Sequence, residues 1–175
     1  MNVRQDTWKD IYSAPFNTTS NSKLQWLQYR INHRNLVTNT FLFKIGKTDN
    51  NLCSFCKHHP ETIIHILWDC QLVSNLIENL RINIIAKDLG LRFDKKEFIL
   101  GKTVNKHNKF DIDNLILLTI KHYIYKSRCL EQQLNYNSLK SHIKTELKAH
   151  RILLSKCNLK NKGQLSAQIQ KWLDF

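Results

Sequence analysis

Glycine and proline are scarce in this chain, 4 and 2 among 175 residues. So few turn formers and helix breakers exclude a turn-rich β-sandwich and a flexible low-complexity linker. Carboxylates are scarce as well: 14 Asp and Glu stand against 27 Lys and Arg, a formal net charge of +13. The longest apolar run, around residues 115–120, falls far short of the roughly 20 residues a membrane span needs. There is no Gly-rich phosphate loop and no G-x-S-x-G elbow. Nor is any acidic pair set in a strand-like pattern, as two-metal chemistry would need. Of the zinc-deaminase pattern only a C-x-x-C is present. Asp111 and Asp113 are close together but suit a helix cap, and His33, His107, His122, His142 and His150 are scattered. No catalytic residue is assigned, and the chain is expected not to be an enzyme.

Apolar residues make up 42% of the chain, enough for a core. Their helical periodicity and the scarcity of breakers predict an all-α fold, an irregular helical bundle. The positive balance makes polyanions the natural partners, with no membrane partner expected. No apolar segment follows Met1, and unpaired thiols suit a reducing compartment, so an intracellular site in nucleus or cytoplasm is expected. Five cysteines are present. Two of them, Cys129 and Cys157, are expected as small buried apolar residues.

The periodicity places helices as follows. Residues 1–19 read as a packing arm with Trp8, Ile11, Tyr12 and Phe16, with a break formed by Pro15 and residues 17–20. Residues 22–36 predict an amphipathic helix on Leu24, Leu27 and Ile31, capped by Ser20 or Asn21. Residues 41–45 predict a short helix closed by Gly46. Leu72, Val73, Leu76, Ile77, Leu80, Ile84 and Ile85 predict a core helix to about residue 87. A connector spans 93–100, and a basic loop is expected at 102–109. A long helix to about residue 133 should bury Leu115, Ile116, Ile120, Tyr123, Ile124 and Leu130 and turn Lys121, Tyr125 and Arg128 outward. Another, capped by Ser138, should run to about 156 on Leu139, Ile143, Leu147 and Leu154. A basic loop at 158–163 and a terminal helix with Ile169, Trp172 and Leu173 complete the chain. Two regions are expected, 1–87 and 88–175, the second packed on the first.

The densest chemistry lies at 53–70, where Cys53, Cys56, His65 and Cys70 spell C-x2-C-x8-H-x4-C. Zn²⁺ favours a tetrahedron of thiolates and imidazoles, and a C-x2-C turn can aim two sulfurs at one ion. Pro60, Glu61 and Thr62 suit the opening of a helix that carries His65. Cys70 would then lie about 140° round an undistorted helix from His65. The helix is therefore expected to loosen or end near Trp68 and Asp69, so that Cys70 folds back. His58 and His59 are rival ligands to His65. Four protein ligands leave no open position, so one zinc ion would be structural.

Two cationic sets stand out as candidate nucleic-acid contacts. Trp26, Arg30 and Arg34 recur at i, i+4, i+8, pairing an indole with two guanidiniums. Lys140, Lys144, Lys148 and Arg151 form one helical edge of like charge that a polyanion would relieve. Solvated helix faces are the plain alternative for both.

Several of these residues also carry a resemblance. Leu24, Trp26, Arg30 and Arg34, then Leu42, Ile45 and Gly46, then Cys53, Cys56, Glu61, Thr62, His65, Trp68 and Cys70 resemble the zinc-binding region that follows the polymerase in reverse transcriptases of LINE-type (non-LTR) retrotransposons. The Glu61-Thr62 pair followed by His65 and Cys70 is its most specific part. The resemblance covers roughly residues 8–80 and supports Cys53, Cys56, His65 and Cys70 as ligands of one Zn²⁺. It implies a helical zinc knuckle that binds RNA or target DNA beside a polymerase domain, which is itself a candidate protein partner. The polymerase and endonuclease residues of that family are missing, which implies a fragment, a remnant or a free-standing descendant. The combined expectation is a zinc-stabilised nucleic-acid-binding module without catalysis of its own, RNA favoured over duplex DNA because no helix opens on a base-reading set. The alternatives are a zinc-stabilised protein-interaction domain and a non-functional remnant.

Overall fold

The structure, a computed structural model, describes residues 5–102, 111–157 and 162–175. Helices α1 (Gln5–Thr18), α2 (Ser22–Asn32) and α3 (Asn39–Lys44) precede a π-helical turn at His65–Asp69. Then come α4 (Gln71–Ala86), α5 (Lys95–Leu100), α6 (Ile112–Cys129), α7 (Tyr136–Lys156) and α8 (Lys162–Asp174). Among the described residues there is no β-strand, only an isolated antiparallel bridge between Leu52 and Pro60. The fold is all-α with the cysteine–histidine cluster embedded in it. The basic loop expected at 102–109 lies almost wholly outside the described residues, as does the first part of the one at 158–163, whose last residues open α8.

Helix α6 is the axis of the bundle. Twelve of its eighteen residues are buried, so it is covered nearly all round, as a core helix must be. It packs against α1, α2, the π-turn, α7 and α8. One continuous apolar cluster runs from Ile11 to Phe175 and draws on residues before and after position 87. Most of the predicted stripes are its components: Leu24, Leu27 and Ile31 from α2, Val73 to Ile84 from α4, Leu139, Ile143, Leu147 and Leu154 from α7, Ile169 and Trp172 from α8.

Several expectations are corrected. Leu72 and Ile85 sit beside the buried stripe of α4, 49% and 78% exposed, and Leu130 lies beyond the end of α6, 53% exposed. Cys129 is exposed and Cys157 half-buried. Pro15 does not break the first segment; α1 runs through it to Thr18. A proline removes the hydrogen bond to the carbonyl four residues back, here that of Ile11, and Asn32 Nδ2 donates to that carbonyl at 3.4 Å. Asn135, not Ser138, caps α7, accepting from the Ser138 amide at 3.0 Å. The connector at 93–100 contains α5, opened by a capping box in which Asp94 accepts from the Glu97 amide and Glu97 from the Asp94 amide.

Lys121 is the largest departure. It is not on an outer basic face but 1% exposed, with its ammonium donating to Gln28 Oε1 and 3.4 Å from the Ile99 carbonyl. Gln28 Nε2 donates in turn to Asn32 Oδ1 at 2.8 Å and to Ile99 O at 2.9 Å. This buried polar chain satisfies its groups in series and ties α1, α2, α5 and α6 together. Burial pushes the Lys121 pKa down to about 7. Tyr125 and Arg128 also turn inward: the Tyr125 hydroxyl donates to Val37 O at 3.1 Å, and Arg128 reaches Glu61.

Candidate metal centre and cationic faces

The loop between α3 and the π-turn is built to present two thiols. Cys53 N donates to His59 O at 2.8 Å and Glu61 N to Asn51 O at 2.8 Å, closing a narrow hairpin. Inside it Lys57 N donates to Cys53 O at 2.9 Å, with Lys57 at φ +60°. The Phe55 amide points at Cys53 Sγ, 3.4 Å away. This tight turn sets Cys53 and Cys56 on one side. An amide aimed at the sulfur favours the thiolate form that a metal requires.

The other two donors come from the π-turn. The helix opens at Ile63, after Pro60, which is held in its bridge to Leu52. Thr62 Oγ1 accepts from His65 N at 3.0 Å, the role expected of the Pro60–Thr62 segment as a whole. The winding then widens: Cys70 N donates to His65 O at 2.8 Å, an i to i−5 bond. An α-helix would carry Cys70 to a different face, whereas the π-turn sets it beneath His65. The loosening predicted near Trp68 and Asp69 is this π-turn, which ends at Asp69 as Cys70 turns to extended backbone at ψ 127°.

The donor atoms of Cys53, Cys56, His65 and Cys70 all lie within 4.8 Å of one another. Cys53 Sγ is 3.9 Å from Cys70 Sγ, and Cys56 Sγ is 3.4 Å from His65 Nε2. A tetrahedron with Zn–S near 2.3 Å and Zn–N near 2.05 Å has S–S and S–N edges of about 3.8 and 3.5 Å. The donor set therefore fits one zinc ion in both chemistry and spacing. Cys53 and Cys70 are fully buried and His65 is 8% exposed. His58 and His59 are exposed and stand outside the cluster. As free thiols the two buried sulfurs share a proton: the hydrogen bond from Cys53 lowers Cys70 to about 5, while the same bond and burial raise Cys53. A cation placed among them would displace that proton.

Residues 2–76 match the family model described as zinc-binding in reverse transcriptase. That segment is similar to the zinc-binding domain of this family. All four ligands lie within the match, and the site takes one zinc ion, held by Cys53, Cys56, His65 and Cys70. No curated protein and no solved structure matches the chain. With four protein donors the ion supplies a cross-link between the hairpin and the π-turn, the chemistry of a structural site.

Glu61, expected as a helix-opening acid and as part of the resemblance, has a further structural role. It is wholly buried. One carboxylate oxygen accepts from Asn39 N at 2.8 Å and from Arg128 at 2.9–3.0 Å; the other accepts from Ser54 N at 2.6 Å. It thus ties the start of α3, the thiol hairpin and α6 together. Burial works against the charge of Arg128, and the Glu61 carboxylate together with Cys129 more than offsets it, so the guanidinium pKa is raised. The Glu61-Thr62 pair marked the residue as part of the resemblance, but nothing local pointed to its partner Arg128.

The candidate nucleic-acid contacts separate into three situations. Trp26 is 60% exposed and Arg30 is exposed on α2. Arg34 is exposed but not on that helix: α2 stops at Asn32, and Arg34 has φ +56°. On the second set, Lys140 lies 4.8 Å from the Phe175 ring and Arg151 donates to Gln170 Oε1 at 2.9 Å, so both face α8. Lys144 is half-buried and Lys148 exposed. Trp68 packs on Phe98 at 5.2 Å and has the Arg81 guanidinium 5.2 Å from its ring. It is occupied by the fold. Among the described residues no helix is long and apolar enough to cross a membrane.

Proposed function

We propose that this chain is a zinc-stabilised nucleic-acid-binding module, directed to RNA ahead of duplex DNA, without catalysis of its own and acting beside a polymerase domain. The zinc site holds the hairpin and π-turn; cationic residues before it contact phosphates. One observation carries the reading. Between Asp10 and Asp49 the sequence holds no carboxylate, while Lys23, Arg30, Arg34, Lys44 and Lys47 are all exposed there. Among the described residues no hydrogen bond or ion pair engages the guanidinium of Arg30 or Arg34. Unpaired cations on a stretch without carboxylates are what a phosphate backbone neutralises, with release of its counterions. The cationic side chains facing α8 carry less of the reading than those of α2.

The test is anisotropy of a labelled single-stranded RNA titrated with zinc-loaded protein across a salt series. About four phosphate contacts should give a log–log slope near −3. Arg30→Ala and Arg34→Ala should each flatten it by somewhat under one unit. Absence of binding at low salt, or a flat slope, sinks the reading.

A second reading has one observation in its favour. Helix α3 buries none of its side chains, and Phe41, Phe43 and Ile45 are 39–51% exposed. Such a surface suits a protein partner. In that case Phe43→Ser would abolish activity in the cell while Arg30→Ala would not.

A further inference from the structure

Helices α1 and α2 join five rings into one surface chain. Trp8 stacks near Tyr12 at 5.7 Å between centroids and 28° between planes. Tyr12 meets His33 at 5.1 Å, His33 meets Tyr29 at 4.1 Å, and Tyr29 and Trp26 meet in a T-shaped pair at 5.3 Å. Tyr12, Tyr29 and Trp26 are 37%, 37% and 60% exposed; His33 is exposed and Trp8 half-buried. Tyr12 and Trp8 are four apart on one helix, and Trp26, Tyr29 and His33 follow at i, i+3, i+7 from the other, so each set shares one face. Contiguous exposed rings hold apolar area in water that an unoccupied surface would not retain.

We infer that this ring chain is a stacking surface for the unpaired bases of single-stranded RNA, with Arg30 and Arg34 beside it for the phosphates. The inference rests on the nucleic-acid reading above and deepens it by naming where bases bind and in which form. Three features choose this occupant. The rings lie within or next to the acid-free stretch, so the surface suits a polyanion and not an acidic apolar helix. Stacked rings offer π-faces, which every base can use without sequence readout. A duplex hides its base faces, whereas RNA loops and ends expose them. Trp26, at one end of the chain and in ring contact with Tyr29 alone among the described residues, is more exposed than Tyr12 or Tyr29, at 60%.

The experiment compares full-length, zinc-loaded protein with Trp26→Ala, Trp26→Phe and Tyr12→Ala, using a single-stranded RNA of about twelve nucleotides. The other arms are an abasic strand of equal length, the RNA duplex and single-stranded DNA of the same sequence. Trp26 is mostly exposed, so its variants should keep the wild-type helical signal and one zinc per chain. The expected result is a roughly tenfold loss of RNA affinity in Trp26→Ala with an unchanged salt slope, and substantial recovery in Trp26→Phe. The abasic strand should bind equally to all forms and more weakly than RNA. Iodide should quench the Trp26 fluorescence, obtained as wild type minus Trp26→Phe, and bound RNA should suppress that quenching. Wild-type affinity for RNA in Trp26→Ala and Tyr12→Ala would overturn the ring surface, make it a protein contact instead, and leave the nucleic-acid reading standing. Equal affinity for the duplex, or tighter binding of DNA, would also overturn it. Absence of RNA binding by the wild type removes both.

Discussion

Arg34, Asp88 and Glu131 adopt φ of +56°, +48° and +53° at the ends of α2, α4 and α6. At each the same pair of bonds recurs, as in Asp88 N to Ile85 O at 3.1 Å and Leu89 N to Ile84 O at 3.0 Å. This is the Schellman closure, which Gly46 makes after α3 without a Cβ. A left-handed L-residue is strained by about 1–2 kcal/mol, partly offset by the extra freedom glycine has when unfolded. Asp88→Gly and Glu131→Gly are therefore expected to stabilise the protein by up to about 1 kcal/mol each, read as a higher urea midpoint at constant slope. His122 acts in the opposite sense. Its Nδ1 is 3.1 Å from His142 Nε2. Burial, with lesser contributions from His142, Lys126 and Lys23, pushes its pKa down to about 4; His142 is lowered too, mainly by burial, against a nearby Glu146. The unfolded chain takes up this proton near about pH 6.5 and the folded chain only near 4. The stability it contributes is thus full above about 6.5 and lost as pH falls towards 4. Discounted for the part of the ring open to water, the loss is about 1–2 kcal/mol. His122→Asn should show a smaller drop in urea midpoint between pH 7 and pH 5 at fixed zinc.

At the scale of elements, the thiol hairpin and α6 meet through one ion pair. Glu61 is 0% exposed and the Arg128 side chain 11%. Removing one partner of a buried pair leaves an uncompensated charge and costs about 3–5 kcal/mol. Arg128→Leu should therefore lower the melting temperature sharply in zinc-loaded protein. Glu61→Gln with Arg128→Leu together should cost less than the sum of the two alone, as a double-mutant cycle reads. If Arg128→Leu melts like wild type, the pair is not what joins these elements. The π-turn is the other element that matters, because it alone gives His65 and Cys70 a common side. The spacing already demanded some distortion there, whereas the Glu61–Arg128 pair spans 67 positions of sequence and has no local signature.

For the molecule as a whole, the +13 charge sets two salt responses of opposite sign. Like charges repel in the compact state, and salt screens that repulsion over a Debye length of about 10 Å at 0.1 M. Raising salt from about 20 to 200 mM should raise the melting temperature of the free protein while weakening the proposed RNA binding by orders of magnitude. A melting temperature that falls with salt would mean that favourable ion pairs outweigh the repulsion. Only four such pairs are found among the described residues.

Local covalent spacing let the sequence by itself determine the ligand quartet, the helical class and most buried stripes. Cys53 and Cys56 are three apart, and α-helical periodicity follows from 3.6 residues per turn, so no distant partner is needed to read either. Tertiary structure alone decided the inward turn of Lys121, whose partner Gln28 lies 93 positions away. It decided the burial of Glu61 and the joining of Trp8 and Tyr12 to Trp26, Tyr29 and His33 in the same way. Periodicity assigns a residue to a face of its own helix. What covers that face depends on which other helices arrive there, and α6 is covered on nearly every side.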